Sequence, residues 1–349
     1  MKKMYKSLIS LCMAAIFTLT LLPATAVPAG AVWNGADADT AWYTADPSLD
    51  TFTIADAADL AGLAQLVNNG TTDFSGKTIN LGADIALNDT TGWSQWDGDA
   101  TGLNSWTPIG TSNEPFSGAF NGQDHTISGI YISSDNDYQG LFGYCYQASV
   151  SSLTVMQSYI KGGNYVGSIA GSTMNSTFSS CSNSGTVTTS GERAGGVAGN
   201  AEGGTISGCH STGNISGAAE TGGIIGFGAD VTVANCYSAG LISAPGADNV
   251  GGIAGSLRVG EGTSGITQCY STADISGMSY VGGIAGCLYT NSMVSHCYSR
   301  GDVSAGGQGA GGIAGIMYGC DISSCYTTGD ITGSDHVGGI AGYYTVGSG

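Results

Sequence analysis

The sequence predicts an all-β protein, a parallel β-helix with coils of about 28 residues and a short N-terminal capping helix. A Gly-aliphatic-x-Gly phrase occurs eight times from residue 140 onward, with Ser168 in place of the first glycine in one copy, and its last glycines lie 27 to 31 residues apart. Cysteines recur with a similar period, and the segments between them are too short for helices. Glycine supplies 60 of the 349 residues, well above the usual ~7%, while 42% apolar residues suffice for a core.

Residues 1–26 predict a signal peptide, with a basic start, an apolar run and a small-residue cleavage site. These features are Lys2, Lys3 and Lys6, the run Leu8–Leu22, and Ala24-Thr-Ala26. We therefore expect a bacterial protein that is secreted or held at the cell surface. Removal of the signal leaves five basic groups against 26 acidic ones, which argues against nucleic acid as a partner. No later apolar stretch approaches the ~20 residues of a membrane-spanning helix, so we expect no membrane insertion.

The mature chain should begin with an N-terminal segment at 27–73. Within it, Asp56 is a helix N-cap, Leu60, Leu63 and Leu66 share one helix face, and Gly70 is a stop signal. We expect this helix to cover the N-terminal end of the stacked coils, because an open solenoid end exposes core and strand edges. Residues 74–139 are predicted to form lead-in coils.

Residues 140–349 are predicted to form the repetitive solenoid. Each repeat holds three short apolar segments separated by turn-forming residues, which indicates three strands per coil. Two further columns of apolar residues keep the period of the cysteines: Val150, Phe178, Ile206, Val233, Ile266, Val294 and Ile322; and Val187, Ile215, Ile242, Ile275, Val303 and Ile331. The glycines of the recurring phrase are expected to permit positive φ at corners and close backbone packing.

The phrase Gly283-Ile-Ala-Gly286, together with segments such as Cys297-Tyr-Ser-Arg-Gly-Asp-Val-Ser304, resembles the GLUG-motif repeat of bacterial surface and secreted proteins. Those proteins include the non-catalytic part of some immunoglobulin A peptidases. The resemblance covers residues 140–342, and the segments 74–81 and 116–130 are similar to the lead-in coils of such proteins. It implies surface display with an adhesive or scaffolding role, and it transfers no catalytic residue.

Six cysteines share one position of the repeat: Cys181, Cys209, Cys236, Cys269, Cys297 and Cys325. We expect them to form a structural ladder of buried free thiols, because parallel Cβ vectors suit disulfide geometry poorly. Cys145, Cys287 and Cys320 lie outside this register and are better candidates for disulfides. No CxxC pair is present and the four histidines occupy unrelated registers, so no metal site is predicted.

Two aromatic groups are candidate ligand-binding sites. One is an outward stripe formed by Tyr237, Tyr270, Tyr298 and Tyr326, each of which follows a ladder cysteine. The other is a tryptophan cluster around Asp97 that comprises Trp93, Trp96 and Trp106. Either group could stack sugars or contact protein. The alternatives are mutual stacking of the tyrosines, which would stabilise the sheet, and packing of the tryptophans within the cap.

These observations favour a non-catalytic adhesion or display module that binds a glycan or a host or matrix protein, without a cofactor. A β-helical polysaccharide lyase or hydrolase is one alternative, but nothing nominates a catalytic pair. Arg193, Arg258 and Arg300 occupy three different repeat registers and are not expected to converge. A passive stalk of a larger surface protein is a second alternative.

The chain ends at Gly349, seven residues after the last recurring phrase and before the cysteine segment of a further coil. We therefore expect an incomplete final coil. The expectation is either that a C-terminal region is missing from this chain or that the protein associates end to end.

Overall fold

A computed structural model describes residues 32–98 and 100–345, and it has the predicted parallel β-solenoid architecture. About ten coils stack along one axis, and every strand pair is parallel. The predicted signal peptide at 1–26 lies outside the described residues. Two α-helices, Ala41–Thr44 and Ala57–Asn68, and a 3-10 helix, Trp93–Gln95, are the helical elements of the described part.

Sheet A is the largest of three sheets and contains sixteen strands. They are Thr51–Ile54, Thr78–Leu81, Ala119–Asn121, Phe142–Tyr146, Ser149–Ser151, Ala170–Ser179, Ala198–Ser207, Ile225–Ala229, Thr232–Ala234, Ala254–Arg258, Gly265–Thr267, Ala285–Leu288, Met293–Ser295, Ala314–Tyr318, Asp321–Ser323 and Ala341–Thr345.

Sheet B contains nine short strands and sheet C contains eleven. The strands of sheet B are Ile85–Ala86, Thr126–Ser128, Thr154–Met156, Ser182–Asn183, His210–Ser211, Tyr237–Ser238, Tyr270–Ser271, Tyr298–Ser299 and Tyr326–Thr327. Those of sheet C are Tyr131–Ser133, Tyr159–Gly162, Val166–Gly167, Thr186–Thr189, Glu192–Gly195, Ile215–Ser216, Ala219–Gly222, Ile242–Gly251, Ile275–Gly282, Val303–Gly311 and Ile331–Gly338. Each repeat of the solenoid passes through sheets A, B and C in that order.

The core runs along the axis as columns of equivalent residues. Phe178 pairs in register with Val150 on one side and Ile206 on the other, and all three are buried. Ile215 is likewise paired with Val187 and Ile242. Both predicted apolar columns therefore lie inside the solenoid, because parallel in-register stacking brings each repeat position against its own counterpart.

The predicted helix is confirmed at Ala57–Asn68, where the carboxylate of Asp56 accepts a hydrogen bond from the Asp59 amide at 2.9 Å. Leu60, Leu63 and Leu66 are buried in the core. The first strand of sheet A, Thr51–Ile54, precedes the helix and already pairs with Thr78–Leu81. The solenoid therefore begins within the predicted N-terminal segment, and the helix packs at the end where sheet A starts.

Each repeat returns from sheet C to sheet A through a tight arch at the recurring glycine phrase. Neither Gly196 nor Gly199 has positive φ, so that part of the glycine prediction is wrong. The close packing is confirmed: a Cβ on Gly199 would lie 2.4 Å from the Val166 nitrogen and 2.7 Å from the Arg193 oxygen. Glycine is required there because successive backbones touch.

Positive φ occurs instead three residues before the recurring phrase, or two before it in the first repeat, where φ lies between 43° and 78°. The residues at this position are Tyr138, Tyr165, Arg193, Glu220, Asn249, Tyr280, Gly309 and His336. Seven of these eight carry a side chain, which is uncommon for left-handed backbone and stores strain. Stacking of the coils therefore overrides the local preference of each residue.

We expect Gly199→Ala to lower the free energy of unfolding by about 3 kcal/mol, because its methyl group would overlap backbone atoms of the preceding arch and of its own arch. Gly246→Ala is the matched control, since an added Cβ at Gly246 meets no atom within 4 Å. Urea unfolding followed by circular dichroism measures both. Equal stability of the two variants would contradict the role assigned to close packing.

Candidate functional site

The six ladder cysteines lie in one column of the core. Five are buried and Cys325, in the last described coil, is half-buried. The amide of Cys269 donates to the Sγ of Cys297 at 3.4 Å, and the amide of Cys297 donates to the Sγ of Cys325 at the same distance. Hydrogen bonding to the thiols of Cys209 and Cys269, together with burial, raises the pKa of Cys236.

The three cysteines outside the ladder do not form the disulfides that the sequence favoured. All nine cysteines of the described residues are free. Cys145 lies five sheet A strands away from Cys287, far beyond the reach of a disulfide. Cys320 packs in the hydrophobic core cluster. Cys287 is also buried but lies outside that cluster, and burial raises the pKa of its thiol to about 12. The stacking order of the coils separates Cys145 from Cys287, and no disulfide joins Cys320 to either.

The tyrosine stripe is a continuous stack of rings. Tyr237, Tyr270, Tyr298 and Tyr326 follow one another at centroid distances of 4.9 to 5.2 Å, with planes within 9° of parallel. His210 extends the stack at 4.7 Å from Tyr237. The ring faces therefore cover each other, and only ring edges and hydroxyls are left for a ligand along most of the column. This geometry favours the sheet-stabilising alternative.

The tryptophan cluster divides into a buried and a half-buried part. Trp106 is 3% exposed and its indole nitrogen donates to the Leu141 carbonyl at 3.1 Å, so its prediction as a ligand-binding residue is wrong. Trp93 and Trp96 are half-buried on a loop between sheet B and sheet A. The sequence alone could not distinguish Trp106 from Trp93 and Trp96, because Trp106 is buried by the neighbouring coil that carries Leu141.

The loop that carries Trp93 and Trp96 is fixed to the solenoid by hydrogen bonds. Buried Asn88 accepts from the Asn104 amide at 2.6 Å and donates to the Asn104 carbonyl at 2.9 Å, which closes the base of the loop. Tyr131 of sheet C donates its hydroxyl to the Asp97 carbonyl at 3.0 Å, and its ring contacts Trp96 edge to face at 6.1 Å. The loop and the half-buried Trp96 indole are thus held in place before any ligand arrives.

A second group of aromatic and charged residues lies along the arches, and the sequence did not predict it. The Arg193 guanidinium is sandwiched between the rings of Tyr165 and Phe227, 5.2 Å and 4.1 Å from their centroids. Arg258 contacts the same Phe227 ring at 5.4 Å. The expectation that the arginines do not converge is therefore wrong for these two. Their repeat positions differ, but the arch brings sheets C and A together and their long side chains meet.

The Arg193 side chain also organises polar groups around the arch. It donates from Nε to Glu220 at 2.8 Å and from Nη1 to the Asn200 oxygen at 2.9 Å. Asn200 in turn donates to Ser172 at 3.0 Å and to Glu202 at 3.3 Å. Both Arg193 and Glu220 are largely shielded from water, with 21% and 15% of their side chains exposed. The network holds the guanidinium in one orientation.

No group of three or more potential metal-ligating side chains assembles within residues 32–98 and 100–345. Within the same ranges, none of the helices has the length and apolar character needed to cross a membrane.

Residues 190–216 and 277–304 match the GLUG motif. These two segments fall within the repeats that carry the recurring glycine phrase, so the resemblance drawn from the sequence is confirmed. No curated protein matches the chain. A crystal structure from Bacteroides ovatus, described as that of a candidate immunoglobulin A1 protease, is similar at a TM-score of 0.57 with 19% identity, over 82% of this chain and 84% of that chain. At this identity the similarity concerns the fold.

We expect the buried ladder thiols to react with a water-soluble thiol reagent only after unfolding, since packing shields them and the thiol form is unreactive. Cys325 should react first in the folded protein, because it is only half-buried. Timed labelling with and without urea, read by mass spectrometry of peptides, measures each cysteine. Intact disulfides joining ladder cysteines in pairs would overturn the thiol ladder.

Proposed function

We propose that this GLUG-repeat solenoid is a secreted or cell-surface adhesion module without catalytic activity, and that it binds a glycan through the loop carrying Trp93 and Trp96. The observation that carries the proposal is the pair of half-exposed indoles on a loop clamped by Asn88 and Tyr131. Indoles bind the apolar faces of sugars, and adjacent carboxylates and backbone groups bind their hydroxyls.

The surroundings of the loop supply such polar groups. The side chain of Ser133 donates to the Gly98 carbonyl at 2.9 Å, and Lys161 lies beside the loop with its Nζ 3.9 Å from Asp135. A Cβ on Gly98 would lie only 3.7 Å from that Nζ, so the ammonium group is next to the backbone of the loop. Insertions in solenoid repeats commonly carry the binding function, since the stacked coils hold them rigidly.

The signal peptide predicted at 1–26 and the acidic composition support an extracellular role, in which the excess of 26 acidic over five basic groups keeps the protein soluble. The repetitive coils would then hold the loop away from the surface to which the protein is attached. A polysaccharide lyase or hydrolase would release product from a bound glycan, and a passive stalk would bind none.

We expect Trp93→Ala and Trp96→Ala each to weaken glycan binding about tenfold or more, because each removes a stacking surface for a sugar ring. Tyr326→Ala is the matched control, since it removes the most exposed ring of the stacked tyrosine column, 47% exposed, without touching the loop. Binding of the mature chain is first located on a glycan array and then measured by calorimetry with the best ligand.

Circular dichroism of all three variants verifies that they fold. Loss of binding in Tyr326→Ala alone would move the site to the tyrosine column, and an array without binding would contradict glycan adhesion. Release of reducing ends or unsaturated sugars from the bound glycan would contradict the assignment as a non-catalytic protein.

A further inference from the structure

Tyrosine and arginine side chains are concentrated along the arches. We define the arch surface as the side chains that line the arches on the sheet C and sheet A sides. It contains eight of the 17 tyrosines and two of the three arginines of the chain: Tyr138, Tyr144, Tyr146, Tyr165, Tyr280, Tyr289, Tyr318, Tyr343, Arg193 and Arg258. Tyrosine and arginine are the residue types enriched at protein interfaces and at their energetic centres.

The side chains of the arch surface are already ordered. In the first half, Tyr138 stacks on Tyr165 at 5.0 Å, and the stack continues through Arg193, Phe227 and Arg258. In the second half, the Tyr289 and Tyr318 rings stack at 5.6 Å and 11°, and Gln308 donates to the Tyr280 hydroxyl at 2.7 Å. Preordered side chains lose little entropy on binding, which favours affinity.

The dimensions of this surface suit a folded partner. From the arch of Tyr138 to the arch of His336 there are seven coil spacings, which corresponds to about 34 Å along the axis. A standard interface buries about 800 Å² on each partner, and a strip of this length can supply that area. A small ligand would use only a fraction of it.

The charges of the arch surface favour a basic partner. The Arg193 guanidinium is already paired with Glu220, and exposed Arg258 lies close enough to Asp230 to interact with it electrostatically. Half-buried Glu202 is the remaining carboxylate, and it accepts one hydrogen bond within the described residues, from Asn200. The whole chain carries a net charge of −18, which attracts basic proteins and repels both a second copy of this chain and anionic polymers.

We propose that the arch surface is a docking site for a partner protein whose contact face carries lysine or arginine side chains beside apolar ones. The tyrosine rings supply the apolar contact area, and Glu202 supplies an acceptor for a cationic side chain. This site is separate from the Trp93–Trp96 loop, so neither proposal depends on the other.

The test uses the mature chain against an array of purified secreted and matrix proteins whose isoelectric points run from acidic to strongly basic. We expect binding to basic members, with affinity that falls as salt rises. Tyr289→Ala should weaken that binding about tenfold or more. Glu202→Gln should weaken it and also flatten the salt dependence, because it removes a charge while keeping the side-chain shape. Of these two variants, Glu202→Gln is the one that best preserves the fold.

Arg300→Ala is the matched control, since Arg300 is exposed and contacts the Tyr298 ring at 5.0 Å, outside the arch surface. Trp93→Ala should likewise leave protein binding unchanged. The proposal is overturned if no basic protein binds, if Tyr289→Ala and Glu202→Gln bind as the parent does, or if Arg300→Ala weakens binding equally. Loss of glycan binding, or of a dimer seen in sedimentation, on substitution of Tyr289 would assign the surface to a different occupant.

Discussion

Backbone contact between successive arches is the constraint on which the rest of this structure depends. Gly199 touches the backbone of the preceding arch and of its own, so no side chain fits there. Three positions before the recurring phrase, the same close stacking forces Tyr165 and Arg193 into left-handed backbone. Because a side chain on left-handed backbone is strained, the stacked neighbours must hold it, and its direction is fixed as a result.

In-register stacking also explains why equivalent residues of successive coils contact one another in a column. Cys269 and Cys297 meet because both follow the same corner, and Tyr270 and Tyr298 meet because both come one residue later. Such columns stabilise the solenoid as a sum of neighbouring contacts. A stacked column has few free ring faces, so regular repetition favours stability over ligand binding, as the tyrosine column shows.

Both candidate binding surfaces occur where the chain departs from regular repetition. The Trp93–Trp96 loop is an insertion among the early coils, and its half-buried indoles have no counterpart in later repeats. Along the arches, Arg193 and Phe227 occupy columns in which other coils place different residues, so a mixed aromatic and charged surface replaces a uniform ladder. Variation on a rigid framework is how repeat proteins acquire individual surfaces.

The sequence by itself determined the parallel β-helix, its period, the core columns and the helix after Asp56, because these follow from periodicity and local capping. It placed Trp93 and Trp96 among the candidates but could not distinguish them from Trp106, whose burial depends on the coil of Leu141. It missed the meeting of Arg193 and Arg258 on Phe227 altogether. Only the tertiary structure decided that contact, because the tight arch folds sheet C back against sheet A and brings different repeat positions within reach of each other.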